Sequence, residues 1–595
     1  MSTNTTTTTG SGTFTNASDY LIVVLIGGLG LLTVGTWGSG QVAGLLFSRT
    51  WPDVPFTDAF GIASRLPKHW DDPRLAWPEH AQPDLPGPVG FYLAALLVLA
   101  VLVSAGVFIG RQVASGHQQR GFASKAQLAE NLSAAAALES AAVIRPDLPR
   151  KAVQITDVAV QLGRAIPSRM RLFASVEHAV MLFAPPRQGK TSQVIIPWLR
   201  DWAGPALVTS VRGDVIENTL TIRRDLGPVA IIDFAREGWP YRLRWSPLAG
   251  CDSYDKARER ANTMVRVGKD GAGDSTNAAF FGMTATNLLG GWMHVAAITG
   301  RTMTDVLTWA LNEGDDEPIK LLADHSGANP NVAPMLEGIY AAPAETRSNM
   351  WATVMTAVAP LVGETARDVF CPPAWESFDI EAFLRERGTI YITVSEKDAA
   401  DLAPLLSAFV DEVTETAKTL AERNGGRLSP PLGMILDEVA NVVPLPDLAT
   451  QMSTAAGSGI FIVAVFQSLA QARKRWGRDG ADIMWGNATI KIALGGLSGD
   501  ELDDFARLAG KYRETVTTIQ RGPQGITSSP SLQDRDTITP DQIRTLSKRH
   551  REALIIEANT PAIKTRMTRH YQGPHRKQFA AARAAARALR TGGTP

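Results

Sequence analysis

The chain has 595 residues, 45% of them apolar, enough to bury a large core and, by length, to hold several domains, so a disordered chain is excluded. Lys+Arg and Asp+Glu are both 59, so whole-molecule charge predicts no attraction to nucleic acid or membrane, and only local segregation could supply one. Cys251 and Cys371 stand far apart in no CxxC or Cys/His pattern, which excludes a structural zinc site or a disulfide framework and makes most of the chain read as cytosolic.

Two stretches, Leu21 to Phe47 and Pro88 to Gly110, carry no charged residue. Each is long enough to cross a bilayer core of ~30 Å, which takes about 20 residues. The start of the chain is Thr-rich and lacks the basic residues of a cleaved signal. These features predict a disordered tail over 1–19 and a two-helix anchor over 20–110, with helices near 20–42 and 88–110. Arg111, Arg120 and Lys125 after the second span favour a cytoplasmic side for the large C-terminal part. The intervening loop of about 40 residues, rich in Pro, Asp and Trp, would then be extracytoplasmic. Residues 111–172 read as a juxtamembrane segment.

Further on, short β-branched runs alternate with helical stretches: His178 to Ala184, Ala206 to Val211, Val229 to Phe234, Thr389 to Val394, Leu432 to Leu436, Ile460 to Phe466, Thr489 to Leu494 and Ala553 to Ala558. Such alternation predicts an α/β fold with a mostly parallel sheet and helices on both faces. Between Cys251 and about Ile380 the pattern is helical only, as in Tyr254 to Val267, Asn277 to Thr299 and Thr346 to Leu361. The nucleotide-binding domain is therefore expected over 173–250 and 381–560, interrupted by an all-helical insertion over 251–380.

Ala184-Pro185-Pro186-Arg187-Gln188-Gly189-Lys190-Thr191 follows a predicted strand and opens a predicted helix, the context a P-loop needs. In such a loop backbone N–H groups and the helix N-terminus cradle the phosphates of ATP, Lys190 neutralises the β and γ oxygens, and Thr191 ligates Mg2+. Ala184 stands where the general motif has Gly, and Pro185-Pro186 stiffens the loop. The apolar run Leu432 to Leu436 ends in Asp437-Glu438, the Walker B pattern. Asp437 would hold the magnesium shell and Glu438 would orient and deprotonate the attacking water. Gln467, ending the next predicted strand, would sense the γ-phosphate.

These motifs in this order resemble the type IV coupling proteins of bacterial conjugation and secretion, the TraG/TraD group. Gly121-Phe122-Ala123-Ser124 is similar to the family's juxtamembrane segment, and Ala184 in place of Gly is usual there. Ser210-Val211-Arg212-Gly213-Asp214 is similar to its S-x-K-x-D/E motif, Trp245-Ser246-Pro247-Leu248 to its W-N-P-L, and Asp437 to Asn441 to its D-E-F-A-N. The resemblance implies a RecA-like P-loop domain in a homo-hexamer at the inner (cytoplasmic) membrane. Such a motor would couple ATP hydrolysis to delivery of single-stranded DNA, with its relaxase, or of protein substrates, to a type IV secretion channel. Many members carry an arginine, acting in trans, shortly before the strand that ends in the sensor Gln. Here that position is Ala456 or Ser458, which leaves Arg473, Arg475 and Arg535 as candidates. Two other readings stay open: an FtsK-like DNA pump, and a non-motor receptor that binds nucleotide only to dock substrates.

Two basic clusters remain. Arg473-Lys474-Arg475 and Arg478 surround Trp476, a combination suited to phosphates plus base stacking. From Lys564 to Arg590 there are eight Lys or Arg and no acid, with Arg583, Arg587 and Arg590 spaced to share one helix face. Residues 561–595 are therefore expected to be a basic tail that contacts nucleic acid or anionic lipid.

Overall fold

The computed structural model describes residues 17–117, 120–268, 278–522 and 525–591. Most of the expected N-terminal tail lies outside them, and a helix occupies Ala17–Ala43. The chain divides into two compact units: the described residues up to Arg120 together with Lys511–Arg535, and the remainder.

The larger unit is built on an 11-stranded sheet. Its strands are β1 (Ala159–Ala165), β2 (Arg171–Ser175), β3 (Val180–Phe183), β4 (Ala206–Ser210), β5 (Val229–Asp233) and β6 (Thr389–Thr393). Then come β7 (Leu432–Leu436), β8 (Ile460–Phe466) and β9 (Ile490–Leu494). The strands β10 (Lys511–Gly522) and β11 (Gly525–Asp536) form a separate two-stranded sheet. Finally β12 (Glu552–Glu557) and β13 (Thr560–Arg566) rejoin the main sheet. The order is β2-β1-β13-β12-β9-β3-β8-β7-β4-β6-β5. From β9 to β5 every pairing is parallel, and from β9 to β2 every pairing is antiparallel.

All eight β-branched runs form strands of this sheet. Successive residues of a strand point to opposite faces, so Met181 and Phe183 enter one core while Val180 and Leu182 enter the other. That is why these strands are continuously apolar rather than alternating. β1, β2 and β13 carry arginines and lack a continuous apolar run, because their antiparallel pairing leaves positions such as Arg164 and Arg566 exposed.

Between Cys251 and Ile380 the chain is helical, from Tyr254–Gly268 and Ala278–Ile298 to Ala344–Val358 and Glu364–Phe370. Among the described residues these helices share the core of the sheet. Trp292, Trp309 and Trp351 belong to the same continuous buried cluster as Phe183 and Leu436 of the sheet.

The expected basic tail is corrected. Residues Thr560–Arg566 are a strand, and the helix Arg576–Arg590 packs against the helix Asp214–Arg224. Phe579, Ala582 and Ala586, spaced by three and four, bury an apolar stripe. Beside that stripe Arg587 bonds Glu217 of the facing helix at 2.9 Å and Arg590 lies 3.5 Å from the same carboxylate. Two of the three arginines thus pair within the chain.

In the smaller unit the helices Ala17–Ala43 and Pro88–His117 pack together. Gly40 makes room for Trp77, whose ring lies where a Cβ would fall, at 1.8 Å. Among the described residues one helix, Pro88–Phe108, is long and apolar enough to cross a membrane. It corresponds to the second of the two expected spans. β10 and β11 belong to this unit, not to the nucleotide-binding domain as expected, and Glu514 pairs there with Arg120 at 3.1 Å and lies 3.6 Å from Arg535.

Candidate nucleotide site

In a parallel sheet the loops after the strands gather at one edge, and register decides which of them touch. Phe183 of β3 is opposite Phe466 of β8, so Ala184 N–H donates to the Phe466 carbonyl at 3.0 Å and the next residue, Gln467, lies beside the P-loop. Leu436 of β7 is opposite Ala464, which brings Asp437 and Glu438 to the same edge.

Ala184 is fully buried and bonded as a continuation of the sheet, so no glycine is needed there. The left-handed conformations fall on Arg187, φ 65°, and Gly189, φ 98°. At Gly189 the positive φ favours glycine, and a Cβ there would also stand 2.2 Å from the Gln193 amide nitrogen and displace that side chain. Pro185 and Pro186 hold the turn, and Gln188 abuts Gly496 in the loop after β9. Lys190 leads into the helical run Thr191–Asp201, whose first turn is a π-helix.

Lys190 Nζ donates to Glu438 Oε1 at 2.8 Å and lies 3.1 Å from Asp437 Oδ1 without the alignment of a hydrogen bond. The Gln467 amide donates to the same Glu438 oxygen at 3.0 Å. All three charged groups are buried. Burial alone disfavours the Lys190 ammonium, but the two carboxylates outweigh it and hold its pKa above the ordinary lysine value. Burial pushes Asp437 up to about 6 against the pull of Lys190, with Glu438 and Asp214 adding to the rise. Asp214 is itself raised, chiefly by burial. The sequence motif holding Asp214 gives no sign of this influence on Asp437, which acts through space between segments after different strands.

Of the buried oxygens here, Glu438 Oε2 has no hydrogen-bond partner and Asp437 Oδ1 has only the ion pair with Lys190. Such atoms are costly unless a ligand completes them. Together with the Thr191 hydroxyl, which has no side-chain hydrogen bond among the described residues, they suit a hydrated divalent cation carried by a nucleotide.

Each arginine candidate has a partner of its own. Arg473 pairs with Asp500 at 3.0 Å, Arg475 bonds the Val267 carbonyl, and Arg535 lies beside Glu514. Trp476 is not free to stack on a base. Its ring packs against Phe466, and its indole N–H donates to the Leu445 carbonyl at 2.8 Å.

A family model described as type IV secretory system conjugative DNA transfer matches residues 125–591. The chain belongs to this family, the coupling proteins of type IV secretion. Among solved structures it is similar to the bacterial conjugative coupling protein TrwBdeltaN70 in an unbound monoclinic form, at 18% identity and a TM-score of 0.50, covering 66% of this chain and 85% of that one. TrwB in complex with the non-hydrolysable ATP analogue ADPNP matches with the same identity, score and coverage. At that identity the likeness speaks for the fold. No curated protein matches the chain.

Proposed function

We propose that this protein is a membrane-anchored P-loop ATPase that couples ATP hydrolysis to delivery of single-stranded DNA with bound relaxase, or of protein substrates, to a type IV secretion channel. The observation that carries the ATPase reading is the convergence of Lys190, Asp437, Glu438 and Gln467 at one sheet edge, with Glu438 held by both Lys190 and Gln467. That the related TrwB was obtained with an ATP analogue supports the choice of ligand.

In this reading residues 184–191 wrap the phosphates, and Lys190 leaves the carboxylates to neutralise the β and γ oxygens. Thr191 and Asp437 hold Mg2+, which when bound offsets charge on the phosphate oxygens. Glu438, released from Lys190, accepts a proton from the attacking water, and Gln467 keeps the Glu438 carboxylate oriented while reporting on the γ-phosphate. The working form is a homo-hexamer at the inner membrane, anchored by the helices within 20–110, with residues 251–380 as the inserted helical domain and an arginine from a neighbour completing the site.

The test is transfer of a mobilisable plasmid from cells carrying Lys190→Ala. Transfer should fall to background while the protein accumulates normally; wild-type transfer would overturn the assignment. Robust DNA-stimulated ATP turnover by the purified protein would separate this reading from that of a non-motor receptor.

A further inference from the structure

Between the helices Ala17–Ala43 and Pro88–His117 the smaller unit has a groove of ≈ 460 Å3. Gly28, Leu32 and Gly35 line it on the first helix and Ala95, Leu99 and Gly106 on the second, while Leu66 and Tyr92 stand at one end. The second-helix wall falls within Pro88–Phe108, the segment long and apolar enough to cross a membrane, so the groove opens toward hydrocarbon.

Three features define what fills it. First, the wall offers an occupant no free donor. The Thr36 hydroxyl donates to the Leu32 carbonyl at 2.8 Å, the Ser39 hydroxyl to the Gly35 carbonyl at 2.6 Å, and the Tyr92 hydroxyl to the Trp70 carbonyl at 2.7 Å. A polar ligand placed here would lose its hydrogen bonds to water and gain none, so the occupant is apolar.

Second, the space is narrow. From Phe91 to Gly106 the second helix rises about 22 Å, so the groove averages about 20 Å2 in section, room for one extended hydrocarbon chain and not for an α-helix, which is about 10 Å across. Gly28 and Gly106 keep its far end open, since a Cβ on either would meet nothing within 4 Å.

Third, the near end lies at headgroup depth and carries charge. Trp70 is 66% exposed, and its ring stands 5.3 Å from that of Tyr92 near the start of the span. Exposed aromatic rings at the end of a span mark the membrane–water interface. Arg65 and Lys68, on either side of Leu66, are exposed, and neither has an ion pair among the described residues. Arg74 in the same segment is by contrast held by Asp72 at 2.7 Å. Two unspent cations at the mouth of an apolar channel complement a phosphate with a hydrocarbon chain beneath it.

We infer that this groove is a phospholipid site: one acyl chain lies between the two helices, and the headgroup phosphate rests against Arg65 and Lys68. The inference rests on the anchor reading and is independent of the ATPase one.

The experiment reconstitutes the full chain in vesicles of phosphatidylethanolamine and phosphatidylglycerol, extracts it into mild detergent and measures retained phospholipid by native mass spectrometry. It compares wild type with a groove-filling pair, Gly28→Leu with Gly106→Leu, and a charge-removing pair, Arg65→Gln with Lys68→Gln. Wild type should keep a phospholipid through the extraction, and each double variant should keep about tenfold less. Both variants should sediment with membranes and elute in the oligomeric state of wild type, which shows that they fold. Undiminished retention in the groove-filling variant overturns the site. Retention lost on filling but unchanged without the cations overturns the phosphate contact. Disulfide formation between two copies carrying Ala95→Cys overturns the lipid and assigns the groove to a second copy of the chain. Release of wild type from membranes at alkaline pH overturns the anchor and the site together, whatever its ATP turnover.

Discussion

Glu438 is held at φ 53° and ψ 43° between the end of β7 and a short helix, a left-handed conformation that costs a residue with a Cβ of order 1 kcal/mol or more. The cost is met by the surroundings: its carboxylate accepts from Lys190 and Gln467, and its carbonyl accepts from Asn441 and Val442. A change that keeps the shape and removes the charge separates holding from chemistry. Glu438→Gln should bind ATP with affinity close to wild type and hydrolyse it at least about 100-fold more slowly, as expected for loss of a general base. Equilibrium binding and phosphate release check the two halves, and wild-type turnover would exclude Glu438 as the base. At this scale Lys190, Thr191, Asp437 and Glu438 were legible because each sits in a run whose neighbours announce it. Asp214 was not, because what makes it matter is its proximity to Asp437, a property of the register of β4 and β7.

The helix Ala399–Arg423 holds Asp411 half-buried against the helical insertion, where the Thr263 hydroxyl donates to it at 2.9 Å. Burial raises its pKa to about 6, with Glu415, Glu259 and Asp447 adding to the rise. An unfolded aspartate titrates near 3.9, so folding takes up a proton at this site between about pH 4 and 6. The sign follows: the site is least costly below pH 4, stability falls as pH rises through that window, and the cost is fully present above pH 6. Asp411→Asn should therefore gain stability at pH 7, by about 2 kcal/mol, and lose this part of the pH dependence. Thermal melts of both proteins at pH 5 and pH 7.5 test it, and an unchanged pH slope would exclude Asp411 as its source. The last helix offers a second test. Phe579 is 4% exposed, and Phe579→Ala should cost about 3–5 kcal/mol and expose the C-terminal helix to protease. Digestion as slow as wild type would contradict a docked helix. The arginine spacing gives that helix a basic face, but the apolar stripe of Phe579, Ala582 and Ala586, not charge, decides where the helix lies.

For the whole molecule the anchor is the decisive expectation. Pro88–Phe108 has the length and composition of a membrane span, so the full chain should sediment with membranes and resist extraction at alkaline pH, while a chain lacking residues 1–110 should not sediment. Alkaline release of the full chain would contradict the anchor. The sequence by itself determined the parallel half of the sheet, the helical character of 251–380 and the edge at which the site lies, because fully buried strands must be apolar throughout and phosphate loops need glycine and lysine at set positions. Only the tertiary structure decided the antiparallel half, the core that the insertion shares with the sheet and the docking of the last helix. Those depend on which residues from distant segments meet, as Arg587 meets Glu217 and Arg164 meets Arg566, and no local period carries that information.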